Sequence, residues 1–144
     1  MKHKKNLNFF VPSKNTNLDT ILINVGISAG FPSPAGDFKQ ERISLDQELI
    51  KNKEATFFAR VSGESMINAG LEDGDLIVID RSIEPSNNKI AVCFIEGEFT
   101  VKRLIVQRNR IWLKPENTSY KPIEVKDDDQ LIIWGIVTNV IKRL

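Results

Sequence analysis

At 144 residues, 41 % of them hydrophobic, the chain has room for one ordinary domain with a real core and a tail. Its 20 basic and 19 acidic side chains give a net charge of +1, which excludes the basic stripe of a duplex-binding protein and argues against direct sequence-specific DNA binding. One histidine, His3, and one cysteine, Cys93, cannot build a zinc cluster, a disulfide framework or an imidazole-based hydrolase, so no metal or cofactor is expected and any hydrolase needs a lysine or carboxylate base.

The basic start Met1–Lys5 is followed by a short apolar run, Phe9-Phe10-Val11, that stops at Pro12, too soon for the h-region of a signal peptide. No stretch approaches the length of a membrane-spanning helix. These features, with the single cysteine, predict a cytoplasmic protein. Residues 1–38 are rich in Lys, Asn, Ser and Pro, with one β-prone patch at Ile21-Leu22-Ile23-Asn24-Val25. The Gly/Pro/Ser-rich stretch from Gly26 to Gly36 cannot form a regular helix. Residues 1–38 therefore read as an extended arm and linker, and 39–144 as the folded domain.

Ser44-Leu45-Asp46-Gln47 has the form of a capping box, opening a short helix to about Ile50. Strand patterns follow at Thr56–Val61, Leu76–Ile79 and Ile90–Ile95. Glu96-Gly97-Glu98 predicts a tight turn into Phe99–Leu104, and further strands are expected at Arg110–Leu113 and Leu131–Ile141. Short strands at this spacing predict a mainly β fold, barrel-like or sandwich, with one or two short helices.

The segment Val61-Ser62-Gly63-Glu64-Ser65-Met66, running on to Gly74-Asp75, carries the first chemical signal. Gly63 permits a sharp turn after a strand, and Ser65 would open a helical turn stopped near Gly70. The backbone N–H groups of Ser65 and Met66 could there receive a developing oxyanion, although a serine at such a place is ordinarily a helix cap. Lys102 lies in the Phe99–Leu104 strand, expected to pair with Ile90–Ile95. A buried lysine loses its proton more readily and can serve as a base, whereas a lysine on a strand's solvent face cannot. Periodicity does not say which face is buried. Arg103 alternates to the opposite face and reads as the solvated charge.

Ser62-Gly63-Glu64-Ser65-Met66, Gly74-Asp75-Leu76 and Gly97-Glu98-Phe99-Thr100-Val101-Lys102-Arg103-Leu104, in that order and spacing, resemble the signature of the LexA/UmuD family of self-cleaving serine/lysine peptidases. The resemblance implies a LexA-like peptidase fold of curved antiparallel sheets, with Ser65 as nucleophile and Lys102 as general base. Ala29-Gly30, followed by Phe31-Pro32-Ser33-Pro34-Ala35, resembles the family's self-cleavage site. Only 29 residues precede Gly30, too few for a helix-turn-helix reader, so the arm looks like that of UmuD-type accessory subunits of error-prone translesion polymerases. That resemblance further implies a homodimer, a UmuC-type polymerase partner and a RecA-type recombinase filament on single-stranded DNA as co-protease. A repressor fragment and a non-cleaving dimerisation module on the same fold are the competing readings. Cys93, Met66, Phe57 and Phe58 are read as core residues, and Trp112 and Trp134 as core in preference to a dimer surface.

Overall fold

The structure, a computed structural model, describes residues 9–12, 19–23, 29–30 and 40–144. The basic N-terminus with His3, and the Gly/Pro-rich stretch apart from Ala29 and Gly30, lie outside the described residues. The chain divides into two compact units, whose described residues are 9–12 with 52–144, and 19–23 with 29–30 and 40–51.

In the smaller unit, strand β2 (Asp19–Ile23) pairs antiparallel with β3 (Gln40–Ser44), from Asp19 opposite Ser44 to Ile23 opposite Gln40. The sequence points to β2, but β3 is too polar to show the alternation of a half-buried strand. Helix α1 (Leu45–Leu49) follows. Ser44 stands outside the helical region as its N-cap, its hydroxyl accepting the Gln47 N–H at 3.4 Å, as the capping-box reading expects. Ala29 and Gly30 form an exposed bend.

The larger unit is one antiparallel sheet. Its strands are β1 (Phe9–Phe10), β4 (Thr56–Arg60), β5 (Leu76–Asp80), β6 (Ile90–Ile95), β7 (Glu98–Gln107), β8 (Arg110–Lys114), β9 (Ile123–Val125) and β10 (Ile132–Ile141). They lie in the order β1-β4-β5-β10-β6-β7-β8-β9. The fold is mainly β with few short helices, in agreement with the sequence. β6 matches its expected span residue for residue. The β6–β7 turn is shorter than expected: Ile95 pairs with Glu98, and Glu96 and Gly97 alone make the loop, with φ of 50° and 79°. Two consecutive left-handed residues define the turn that matches the twist of a hairpin, and glycine takes the second at no steric cost.

β10 joins the two halves of the sheet. Its first part pairs with β6, from Ile132 opposite Phe94 to Ile136 opposite Ala91, and its second part pairs with β5 out to Ile141. The register shifts between Ile133 and Gly135, and a Cβ at Gly135 would stand 2.5 Å from Ile79 Cγ2. Gly135→Ala is therefore expected to lower stability by about 1–3 kcal/mol through overpacking, read as a fall of several degrees in the thermal midpoint.

Alternation along the strands builds a core on each face. One cluster holds Ala59, Val61, Met66, Leu71, Ile77, Ile79, Val92 and Val101, with Phe57, Phe99 and Trp134 packed against it. The other holds Ala91, Cys93, Leu104, Leu113 and Ile136. Phe9 belongs to the first: β1 pairs with β4, and the Phe9 ring lies 4.6 Å from Trp134 and 4.9 Å from Phe99 between centroids. Two residues are too few to announce a strand by pattern. Trp112 departs from its core reading: it is only partly buried and lines a surface depression with Gln107, Arg108 and Arg110.

Candidate active site

The segment after β4 is closed on itself before it presents any side chain. Val61 N–H donates to Asp75 O and Gly74 N–H to Val61 O, each at 2.8 Å, so residues 61–75 leave the sheet and return beside their starting point. Gly63 turns the chain with φ of 92°, and its N–H donates to Asp73 Oδ1 at 2.7 Å. Ser65 follows in a turn, and a 3₁₀ helix spans Ile67–Ala69, with Met66 as its N-cap and Gly70, at φ of 81°, ending it. The helix thus begins two residues later than the sequence suggests. As a result, among the described residues no acceptor engages the backbone N–H of Ser65 or Met66. Two free donors beside one hydroxyl form a cradle for negative charge.

Lys102 comes from β7. It lies opposite Ala91, on the same face as Cys93, Thr100 and Leu104, and is only 8 % exposed. The ladder between β7 and β8 begins at Arg103 opposite Lys114, so at Thr100–Lys102 only β6 is paired with β7. The serine turn comes to this stretch. Lys102 Nζ lies 3.0 Å from Ser65 Oγ, 2.7 Å from Thr100 Oγ1 and 3.1 Å from Val101 O.

Burial holds the Lys102 amine below its ordinary value of 10.5. No carboxylate forms an ion pair with Lys102 among the described residues. The three neighbours also suit a neutral amine. Val101 O can only accept, Thr100 Oγ1 can accept, and two N–H bonds supply both; the lone pair then faces the Ser65 hydroxyl, which donates. Protonation reverses that last bond. Cys93 is fully buried, and burial pushes its thiol up to about 12, so it stays neutral while the lysine titrates. It is a core residue, as read.

Sequence reasoning overlooked what surrounds the pair. Arg103 is not a solvated charge: its Nε donates to Glu116 Oε1 at 2.5 Å and its guanidinium to Asn88 O at 2.6 Å. Asp75 is buried and receives Lys142, from just beyond β10, together with the Glu72 N–H at 2.8 Å. Burial alone would raise its carboxyl, but these bonds carry it below its usual 3.8. No motif marks the contacts of Arg103 with Glu116 and Asn88 or of Asp75 with Lys142, because each joins segments apart in sequence.

The structure thus sets a buried, strand-borne lysine against a turn-borne serine on one antiparallel sheet. Residues 21–138 match the model of the Peptidase S24-like family, and the chain belongs to that family. It is 44 % identical over 115 residues to protein ImpA of Salmonella typhimurium, covering 80 % of this chain and 78 % of that protein. With protein MucA of Escherichia coli it shares 42 % identity over 114 residues, 78 % of this chain and 77 % of the relative. LexA repressor 1 of Geobacter sulfurreducens is 37 % identical over 119 residues, which cover 82 % of this chain but 58 % of the repressor. The LexA/UmuD-type resemblance read from the motifs is borne out. Among the described residues no helix is long and apolar enough to cross a membrane.

Proposed function

We propose that the protein is a self-cleaving serine endopeptidase that cuts its own Ala29–Gly30 bond through Ser65 and Lys102. The 3.0 Å approach of Ser65 Oγ to a buried lysine amine carries this reading. Residues 1–38, whose Phe9–Phe10 adds an edge strand to the sheet, are taken as the arm that presents the bond, and 39–144 as the domain that acts on it.

Neutral Lys102 takes the Ser65 proton as Oγ attacks the Ala29 carbonyl carbon. The N–H groups of Ser65 and Met66 receive the oxyanion. As the tetrahedral intermediate collapses, the Ala29–Gly30 C–N bond breaks and the lysine proton passes to the Gly30 amine. Water, deprotonated by the same lysine, then opens the Ala29 ester and restores Ser65. The substrate is tethered, so effective concentration replaces a binding pocket.

The 30–144 product serves in the cytoplasm as a homodimeric accessory subunit of a UmuC-type error-prone polymerase in DNA-damage-induced mutagenesis. A RecA-type filament on single-stranded DNA favours the cleavable arrangement by binding it more tightly. The competing reading is a dimerisation module on the same fold that no longer cuts. Mass spectrometry of the purified chain, with and without recombinase, single-stranded DNA and ATP, decides between them. Two fragments meeting between Ala29 and Gly30 are expected; an intact chain under all conditions would leave only the binding module.

A further inference from the structure

The serine turn belongs to no strand, so something else must hold Ser65 against Lys102. The loop after β8 supplies those contacts. Asn117 Nδ2 donates to Glu64 O at 2.8 Å, on the residue just before Ser65. Asn68 N–H donates to Glu116 O at 2.8 Å, and Glu116 N–H to Met66 Sδ at 3.4 Å, just after it. The turn is therefore gripped on both sides of the nucleophile by two consecutive residues.

Those residues are themselves fixed. Asn117 Oδ1 accepts the Ser119 N–H at 3.0 Å, which orients the amide so that its NH₂ faces Glu64 O. The Glu116 carboxylate meets Arg103, which is adjacent to Lys102 on β7 and is anchored in turn on Asn88 O. The chain of contacts runs from the strand that carries the base, through Arg103 and Glu116, to the turn that carries the hydroxyl.

We propose that Asn117 and Glu116 are positioning residues that set the separation of Ser65 from Lys102, without touching the scissile bond. The inference rests on Ser65 and Lys102 being the reacting pair. A group misplaced by about 1 Å can cost around a hundredfold in rate, so the grip has leverage out of proportion to its hydrogen bonds.

The test is the first-order rate of self-cleavage across pH for Asn117→Asp and Asn117→Ala, with thermal midpoints measured in parallel. Aspartate keeps the bond to Ser119 but sets a carboxylate oxygen against Glu64 O; alanine deletes the donor without adding charge. The rate is expected to fall about tenfold for alanine and further for aspartate, at temperatures well below both midpoints. For alanine, which adds no charge, the pH at which the rate levels off is expected to stay put, because the burial of Lys102 is unchanged. Wild-type rates in both variants, or a loss that disappears on cooling below the midpoint, would overturn the proposal in favour of a purely structural loop. Ser65→Ala, run alongside, separates the two readings. Cleavage persisting there would sink the nucleophile and this inference together, whereas an inert Ser65→Ala beside unaffected Asn117 variants sinks this inference alone.

Discussion

Ser65→Ala and Lys102→Ala are each expected to reduce the first-order rate of self-cleavage by at least about a thousandfold, at every pH. On the proposed mechanism the two side chains act as one unit. Without Lys102 the hydroxyl at position 65 loses its base, and the other partners of that amine, Thr100 Oγ1 and Val101 O, cannot take a proton at neutral pH. Without Ser65 the amine has nothing to activate but water. The double variant should therefore be no slower than either single one, as groups sharing one step are strongly non-additive. Fragment appearance followed by mass spectrometry over hours to days gives the rates. A Lys102→Ala chain cutting within tenfold of wild type would assign the base elsewhere.

The second large effect is on pH, and it acts on rate and stability in linked ways. Only the neutral amine accepts the serine proton, so cleavage should accelerate tenfold per pH unit while Lys102 is mostly protonated, then level off. Burial sets the plateau below pH 10.5. The same shift enters folding with a definite sign. The unfolded lysine binds its proton up to 10.5, whereas the folded one releases it earlier, so the unfolded state holds more protons in that window. Stability attributable to this group thus rises with pH across the window, and below the folded value the penalty is present in full. Lys102→Met, compared with the parent in a Ser65→Ala background to prevent cutting, is expected to be more stable by about 1–3 kcal/mol at neutral pH. The gap should close as pH approaches 10.5. Thermal melts at several pH values measure both. Equal melting at neutral pH, or a cleavage rate flat in pH, would contradict a buried amine acting as base.

Local chemistry made much of the sheet legible. Ile90–Ile95 is a continuous apolar run ending at a glycine turn, and Ser44 announces α1 through its cap. The elements that escaped are those whose stability is not local. Phe9–Phe10 is a strand because Trp134 and Phe99 receive a ring there, and polar Gln40–Ser44 because β2 lies alongside. Ile123–Val125, three residues long, extends the sheet edge for the same reason. At the candidate site the motif spacing picked out Ser65 and Lys102, yet not what holds them. Pro115-Glu116-Asn117 reads as an ordinary polar turn, and nothing in it names Glu64 or Met66 as partners. Lys102 and Arg103 show the same limit. Alternation put them on opposite faces but could not say that one would be buried and the other tied into an ion pair.

The place of β10 bears on how the molecule comes into being during synthesis. β5 and β6 are not paired with each other; β10 lies between them, and it leaves the ribosome after both. Until it emerges, the strands leading into and out of the serine turn and the strand holding Lys102 belong to separate, half-built sheets. A nascent chain that has already displayed Ser65 and Lys102 therefore has the two halves of the sheet joined, without a strand between them, through the loop after β8. On the proposed mechanism, the strand that closes the sheet is made after every residue that takes part in cutting.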